Sequence, residues 1–178
     1  MKWKTEMLMP VVVISAAATA GRILFNFIPQ VQPVTAMVIL TGLTLGPLCG
    51  AVTGFLSAMV SNMVLGQGIW TLFQMLAWGL IGFVSGFFSK SRITRSLPFL
   101  CFFGFLSGAL FSLVTDLSTV FFISYGVPMS GSAVAAVFAT GLLFNIPHCV
   151  GNVFFLLILY IPFVRKFRRL RDKYGFLC

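Results

Sequence analysis

Three ionisable side chains stand inside apolar stretches long enough to lie in lipid: Arg22, Asp116 and His148. A charge at the bilayer centre costs about 2.5–3.5 kcal/mol on insertion scales, so such a group must be paired, hydrated or engaged with a ligand. Arginine offers a fork of donors, aspartate offers acceptors, and neutral histidine offers one of each. Their neighbours are polar at helical spacing. With about 100° per residue, Ser15, Thr19, Arg22 and Asn26 share one narrow stripe. Ser112, Thr115, Asp116 and Thr119 form a second stripe, and Asn145, His148 and Asn152 a third. Ser61, Asn62 and Gln74 add polarity in intervening segments.

Two arrangements fit these residues. Arg22 and Asp116 either bridge their helices as an ion pair or face a water-filled pocket that binds polar groups of a ligand. A bridge alone does not require three polar stripes. His148 is then either a hydrogen-bonded packing residue or, between Asn145 and Asn152, a ligand contact. Trp70, Phe73 and Trp78 lie in "LGQGIWTLFQMLAWG". They form either an interfacial aromatic belt or a stacking lid over a flat ligand. Candidate substrate-binding residues are therefore Arg22, Asn26, Asn62, Trp70, Gln74, Trp78, Asp116, Asn145, His148 and Asn152.

Other chemistry lacks its equipment. The sequence has no GxxxxGK[ST] phosphate loop, HExxH or GxSxG motif and no paired carboxylates. A single intramembrane acid is poorly suited to hydrolysis. Cys49, Cys101, Cys149 and Cys178 are widely spaced without a CxxC pair, which points to neither a disulfide framework nor a metal site. No cofactor is indicated. Two further function classes remain in view: a membrane enzyme using Asp116 and His148 within hydrogen-bonding reach of each other, and a structural subunit with an Arg22–Asp116 bridge and no cavity.

The elements that position these groups follow from composition. The 178-residue chain is 59% hydrophobic and 8% charged, with mean hydropathy +1.05. A soluble domain carries about 25% charged residues, so this chain cannot cover itself with a water-compatible surface. It reads as an all-α membrane protein, a compact bundle of about six spans in a single integral domain covering 1–178. The expected spans are 7–27, 33–48, 50–65, 70–88, 97–123 and 132–164, with a basic tail over 165–178. The second and third are short and weakly divided by "GPLCGAV". Glycines at intervals of four (Gly42, Gly46, Gly50, Gly54), with Gly79, Gly82, Gly86, Gly104 and Gly108, suit close helix packing in lipid.

The net charge of +9 marks topology rather than nucleic acid. Lys2 and Lys4, then Lys90, Arg92 and Arg95, then "RKFRRLRDK" fall on one side of six spans. The loops opposite, "PQVQP", "GQG" and "SYGVPMSG", contain no Lys or Arg, so both termini are expected to be cytoplasmic. Arg22 and Asp116 then sit in the outer half. The N-terminus also imitates a secretory signal, with "ATA" as its cleavage site. Against cleavage, the apolar run continues through "ILFNFI", Glu6 interrupts the basic region, and removal would leave five spans.

On the first span Ala16 and Ala20, flanked by Ala17 and Gly21, occupy a side away from the Ser15–Arg22 stripe and can receive another helix closely. With that alanine pair, the segments "GRILFNFIPQVQPVTA" and "SNMVLGQGIWTLFQMLAWGLIG" resemble the substrate-binding S-components of energy-coupling factor (ECF) vitamin transporters. The likeness covers nearly the whole chain. It implies a multi-pass subunit of a bacterial plasma membrane that captures a vitamin or related micronutrient from outside. Such a subunit is thought to rotate in the membrane and deliver its ligand inward. It would associate through Ala16 and Ala20 with a transmembrane coupling protein and two cytoplasmic ATPases, which supply the energy. "IPQVQPVTA" and "WTLFQMLAWG" look most like S-components for cobalamin and related corrinoids. Queuosine or its base, pantothenate and other vitamins stay open, since nothing among the polar residues reads out a corrin ring.

Overall fold

The computed structural model describes residues 7–91, 96–125 and 128–174, the side chains of 168 and 170–174 excepted. Lys2, Lys4, Glu6, Arg92, Arg95 and Cys178, and the side chains of Arg168, Arg171, Asp172 and Lys173, lie outside them. The described residues form an all-α protein with helices α1 (Leu8–Leu24), α2 (Val34–Leu45), α3 (Pro47–Leu65), α4 (Ile69–Phe87), α5 (Leu97–Ile123) and α6 (Gly131–Tyr174).

Helix length organises the bundle. Four helices, α3 to α6, are long and apolar enough to cross a membrane. α1 has 17 residues and α2 only 12. At about 1.5 Å per residue, α2 reaches about 18 Å, well short of the roughly 30 Å hydrocarbon layer. It is also apolar all round, and its residues Val34, Ala36, Val38, Ile39 and Leu40 are completely buried, as expected of a helix at the centre of a core. α2 packs against all five other helices, while α1, α3, α4, α5 and α6 follow one another around it. A short central helix inside longer neighbours leaves room at its end, and the polar residues collect there.

Local chemistry fixes where α2 starts and stops. α1 ends at Leu24, before the expected limit of 27, and the Phe25 N–H closes on the Gly21 carbonyl at 3.0 Å. Pro29 and Pro33 then keep residues 25–33 out of a helix. The α2–α3 division falls at Gly46, not between 48 and 50. Gly46 has φ 93°, a left-handed conformation that glycine adopts without penalty, and Pro47 occupies the first turn of α3, where its missing N–H is harmless.

α3 and α4 meet backbone to backbone. A Cβ built on Gly50 would collide with the Gly82 carbonyl, and one on Gly82 with the Gly50 carbonyl. Two bare surfaces facing each other give the close approach that packing in lipid requires. The core around α2 combines Ile39 and Leu40 with Trp78 and Ile81 of α4, Phe111 of α5 and Leu156 of α6. Outside, large apolar side chains such as Leu72, Leu76, Phe102 and Leu143 are exposed, as a lipid-facing surface demands. α6 contains Pro147 and Pro162 and continues as a helix through the basic segment to Tyr174.

Candidate functional site

A cavity of about 360 Å³ opens where α2 begins. The α1–α2 connection supplies much of its wall, with Asn26, Pro29, Gln30 and Gln32 beside Arg22 at the end of α1. Gln74 of α4, Phe111 and Thr115 of α5, and Phe144 of α6 complete it.

Arg22 organises one side. Its Nε donates to Gln32 Oε1 (3.0 Å), one terminal nitrogen donates to Ser61 Oγ and to Asn62 Oδ1 (2.9 Å), and the other donates to Gln74 Oε1 (3.1 Å). Ser61 Oγ accepts from Arg22 while donating to the Ser57 carbonyl (2.6 Å). Asn62 Nδ2 donates to Thr71 Oγ1 (3.0 Å) and Gln74 Oε1 (2.8 Å). The guanidinium lies 5.0 Å from the centre of the Trp78 ring, within cation–π range. One arginine thus joins α1, the α1–α2 connection, α3 and α4.

Trp78 is fully buried beneath Arg22 and stacks on Phe111 with centroids 4.4 Å apart. It supports the cavity rather than lining it. Its Nε1 donates to Thr35 Oγ1 at 2.9 Å. Trp70 stands away from the cavity, 40% exposed, with its ring edge against Phe122 of α5. No lid is formed by it over the site.

His148 does not line the cavity either. Its Nδ1 is 2.9 Å from the Gln30 carbonyl, which only accepts, so Nδ1 carries the proton. Nε2 then accepts from Thr35 Oγ1 across a long 3.4 Å. A directional chain runs from the Trp78 N–H through Thr35 and His148 to the Gln30 carbonyl. Gln30 has φ 63°, a conformation rarely adopted by residues other than glycine, so its carbonyl is held where the relaxed chain would not leave it. His148 fastens the cavity-lining connection.

The remaining sequence candidates divide. Asn26 lies beyond the end of α1 on the cavity wall and is exposed. Asp116 Oδ2 accepts from Asn145 Nδ2 at 2.8 Å, and its carboxylate rests where a Cβ on Gly141 would stand. This links α5 to α6 beside Thr115. Asn152 is completely buried, packs against Gly108, and its carboxamide has no hydrogen-bond partner among the described residues. The third stripe therefore serves three separate purposes.

Among the described residues Arg22 and Asp116 form no ion pair, since each is occupied by neutral partners, so the bridge with no cavity does not form. Asp116 and His148 likewise do not bond to each other, which removes the arrangement that the enzyme reading required. Gln30, Gln32 and Phe111 were not among the expected site residues. The two glutamines sit in a connection without periodicity, where only their polarity in "PQVQP" could have flagged them.

Comparison with protein-family models matches residues 2–169 to "ECF-type riboflavin transporter, S component". Comparison with curated proteins and with solved structures gave no match. The type named is riboflavin, which replaces the cobalamin type expected from the sequence. With a match over nearly the whole chain and apolar helices that suit a membrane, this multi-pass membrane protein belongs to the ECF-type riboflavin transporter S component family, as a substrate-binding subunit of an ECF importer and not an enzyme.

Proposed function

We propose that the chain captures a flavin-sized, flat vitamin in the cavity beside Arg22 and hands it inward in complex with the energising subunits of the importer. The cavity carries this reading. Its volume of about 360 Å³ lies near the lower end of the roughly 300–1,000 Å³ that enclose small organic ligands. That suits a tricyclic flavin far better than a corrinoid with its nucleotide loop. Phe111 and Phe144 offer apolar faces for a ring system, and Arg22, Asn26, Gln32 and Gln74 offer polar ends. In this reading Asn62 and Trp78 hold Arg22 in place, and His148 holds the α1–α2 connection.

The cavity end faces outside. Lys90, Arg165, Lys166 and Arg169 belong to the opposite end, and the connections at the cavity end contain no Lys or Arg. This asymmetry supports cytoplasmic termini. α1 supplies the coupling surface: Ser15, Thr19 and Arg22 are buried whereas Ala16, Ala17 and Ala20 are exposed, leaving a smooth strip for a helix of the coupling protein. The two ATPases bind that partner.

Titration of the purified protein into riboflavin tests the ligand, with quenching of flavin fluorescence at one ligand per chain as the expected result. Absence of quenching contradicts it. Ala16→Trp and Ala20→Trp test the division of surfaces. Riboflavin binding is expected to stay within about twofold, an effect below ~0.5 kcal/mol as for surface changes, while uptake by cells is abolished. Equal loss of binding and uptake would refute separate faces.

A further inference from the structure

The Arg22 cluster dictates the polarity of the surface that a ligand meets. A guanidinium has five N–H donors and no acceptor. Four of them are spent on Gln32, Ser61, Asn62 and Gln74, leaving one on the nitrogen that bonds Gln74. Because Arg22 only donates, Gln32 and Gln74 must turn their carboxamide oxygens toward it. Asn62 Nδ2 also donates to the Gln74 oxygen. The carboxamide nitrogens of Gln32 and Gln74 form no hydrogen bond among the described residues, and both side chains line the cavity together with Arg22. The positive charge is not neutralised there: Asp116 is engaged by Asn145, and no described carboxylate bonds Arg22. This wall therefore presents donors only, backed by a cation.

Resting on the small-molecule reading above, we propose that the ligand enters this wall with an edge of paired hydrogen-bond acceptors, met by Arg22, Gln32 and Gln74. Two sources share that chemistry: the N1 and C2-carbonyl edge of a neutral flavin, and a carboxylate. A buried, uncompensated cation favours both over an edge that must donate. Arg22 then fixes the ligand's orientation, with its rings toward Phe111 and Phe144.

Gln74→Glu tests the idea with little change in shape. A glutamate keeps the acceptor that Arg22 and Asn62 already use, supplies the missing counter-charge, and converts the cavity-facing amide into an acceptor. The expected result is an unchanged or higher melting temperature together with ligand binding weaker by about 10- to 100-fold, the range for lost charge-assisted hydrogen bonds. Gln32→Glu repeats the test from the α1–α2 connection if Gln74→Glu fails to fold.

Binding is measured for riboflavin and for two matched pairs, pantothenate with pantothenol and biotin with biotinol. Riboflavin binding that collapses in Gln74→Glu supports the inference with the flavin source. Binding of pantothenate or biotin, but not of its alcohol, with no riboflavin binding, supports the carboxylate source and refutes the flavin reading alone. Riboflavin binding that survives both glutamate substitutions overturns the inference and leaves the flavin reading intact. An alcohol bound as tightly as its acid also overturns it, and failure of every probe refutes both.

Discussion

The two sides of the cavity are built differently. On the side of α1, α3 and α4, one buried guanidinium ties together Gln32, Ser61, Asn62 and Gln74, and Gly50 and Gly82 bring the α3 and α4 backbones into contact. On the side of α5 and α6, Phe111, Thr115 and Phe144 face the cavity, one Asp116–Asn145 bond joins the two helices, and His148 of α6 ties to the Gln30 carbonyl. The first side is cross-linked at several points, so its donors are preorganised. The second offers mainly apolar faces, with Phe111 packed against Trp78 and His148. In the proposed reading, orientation of the ligand comes from the first, and shape from the second. Two intramembrane charges thus have unequal standing: Arg22 directs a network, while Asp116 fastens a helix pair.

This contrast can be broken most severely at its centre. Arg22→Leu removes the cation and leaves the oxygens of Gln32 and Asn62 without their donor. Ligand affinity is expected to fall by about 100-fold or more, as for a hot-spot arginine, in a binding titration on the detergent-solubilised protein. Gly50→Ala attacks the rigidity of the same side by forcing α3 and α4 apart. A stability loss of about 1–3 kcal/mol, read by thermal unfolding, is expected from this overpacking. His148→Phe sharpens the picture by cutting the tie to the Gln30 carbonyl while preserving bulk. Faster ligand release, with affinity lower by about tenfold, is expected by stopped-flow, because an orphaned carbonyl costs ~1–3 kcal/mol. Hydrogen exchange should rise over residues 25–33. Asp116→Asn is expected to have the smallest effect, below about threefold on affinity, since an asparagine oxygen can still accept from Asn145. If Asp116→Asn matches Arg22→Leu, the two sides are not distinct in the way described.

Much of this was legible in the residues, for reasons that also mark where legibility ends. Composition marks a membrane protein, and long unbroken apolar runs without strand-like alternation mark helices rather than a closed barrel, the other structure that satisfies its backbone in lipid. The two sides of α1 follow from angular spacing, which holds wherever a regular helix persists. Spacing could not assign roles to Asn145, His148 and Asn152. They share a stripe on α6, yet one meets Asp116, one meets Gln30 and one packs on Gly108, because tertiary neighbours change along a helix that carries Pro147. Phe111 had no distinguishing mark among 21 phenylalanines. Gln32 lies in a connection whose path is set by Pro29, Pro33 and the His148 tie, none of which has a period to detect. The transporter type is likewise not legible, since no residue of the polar stripes reads out one particular ring system.

The most direct test is a structure determined with riboflavin bound. The expected result places the N1 and C2-carbonyl edge of the flavin within hydrogen-bonding distance of Arg22 and Gln74, with its rings beside Phe111. A flavin seated between α5 and α6 against Asp116, with Arg22 and Gln74 touching only each other and their protein neighbours, would contradict the account.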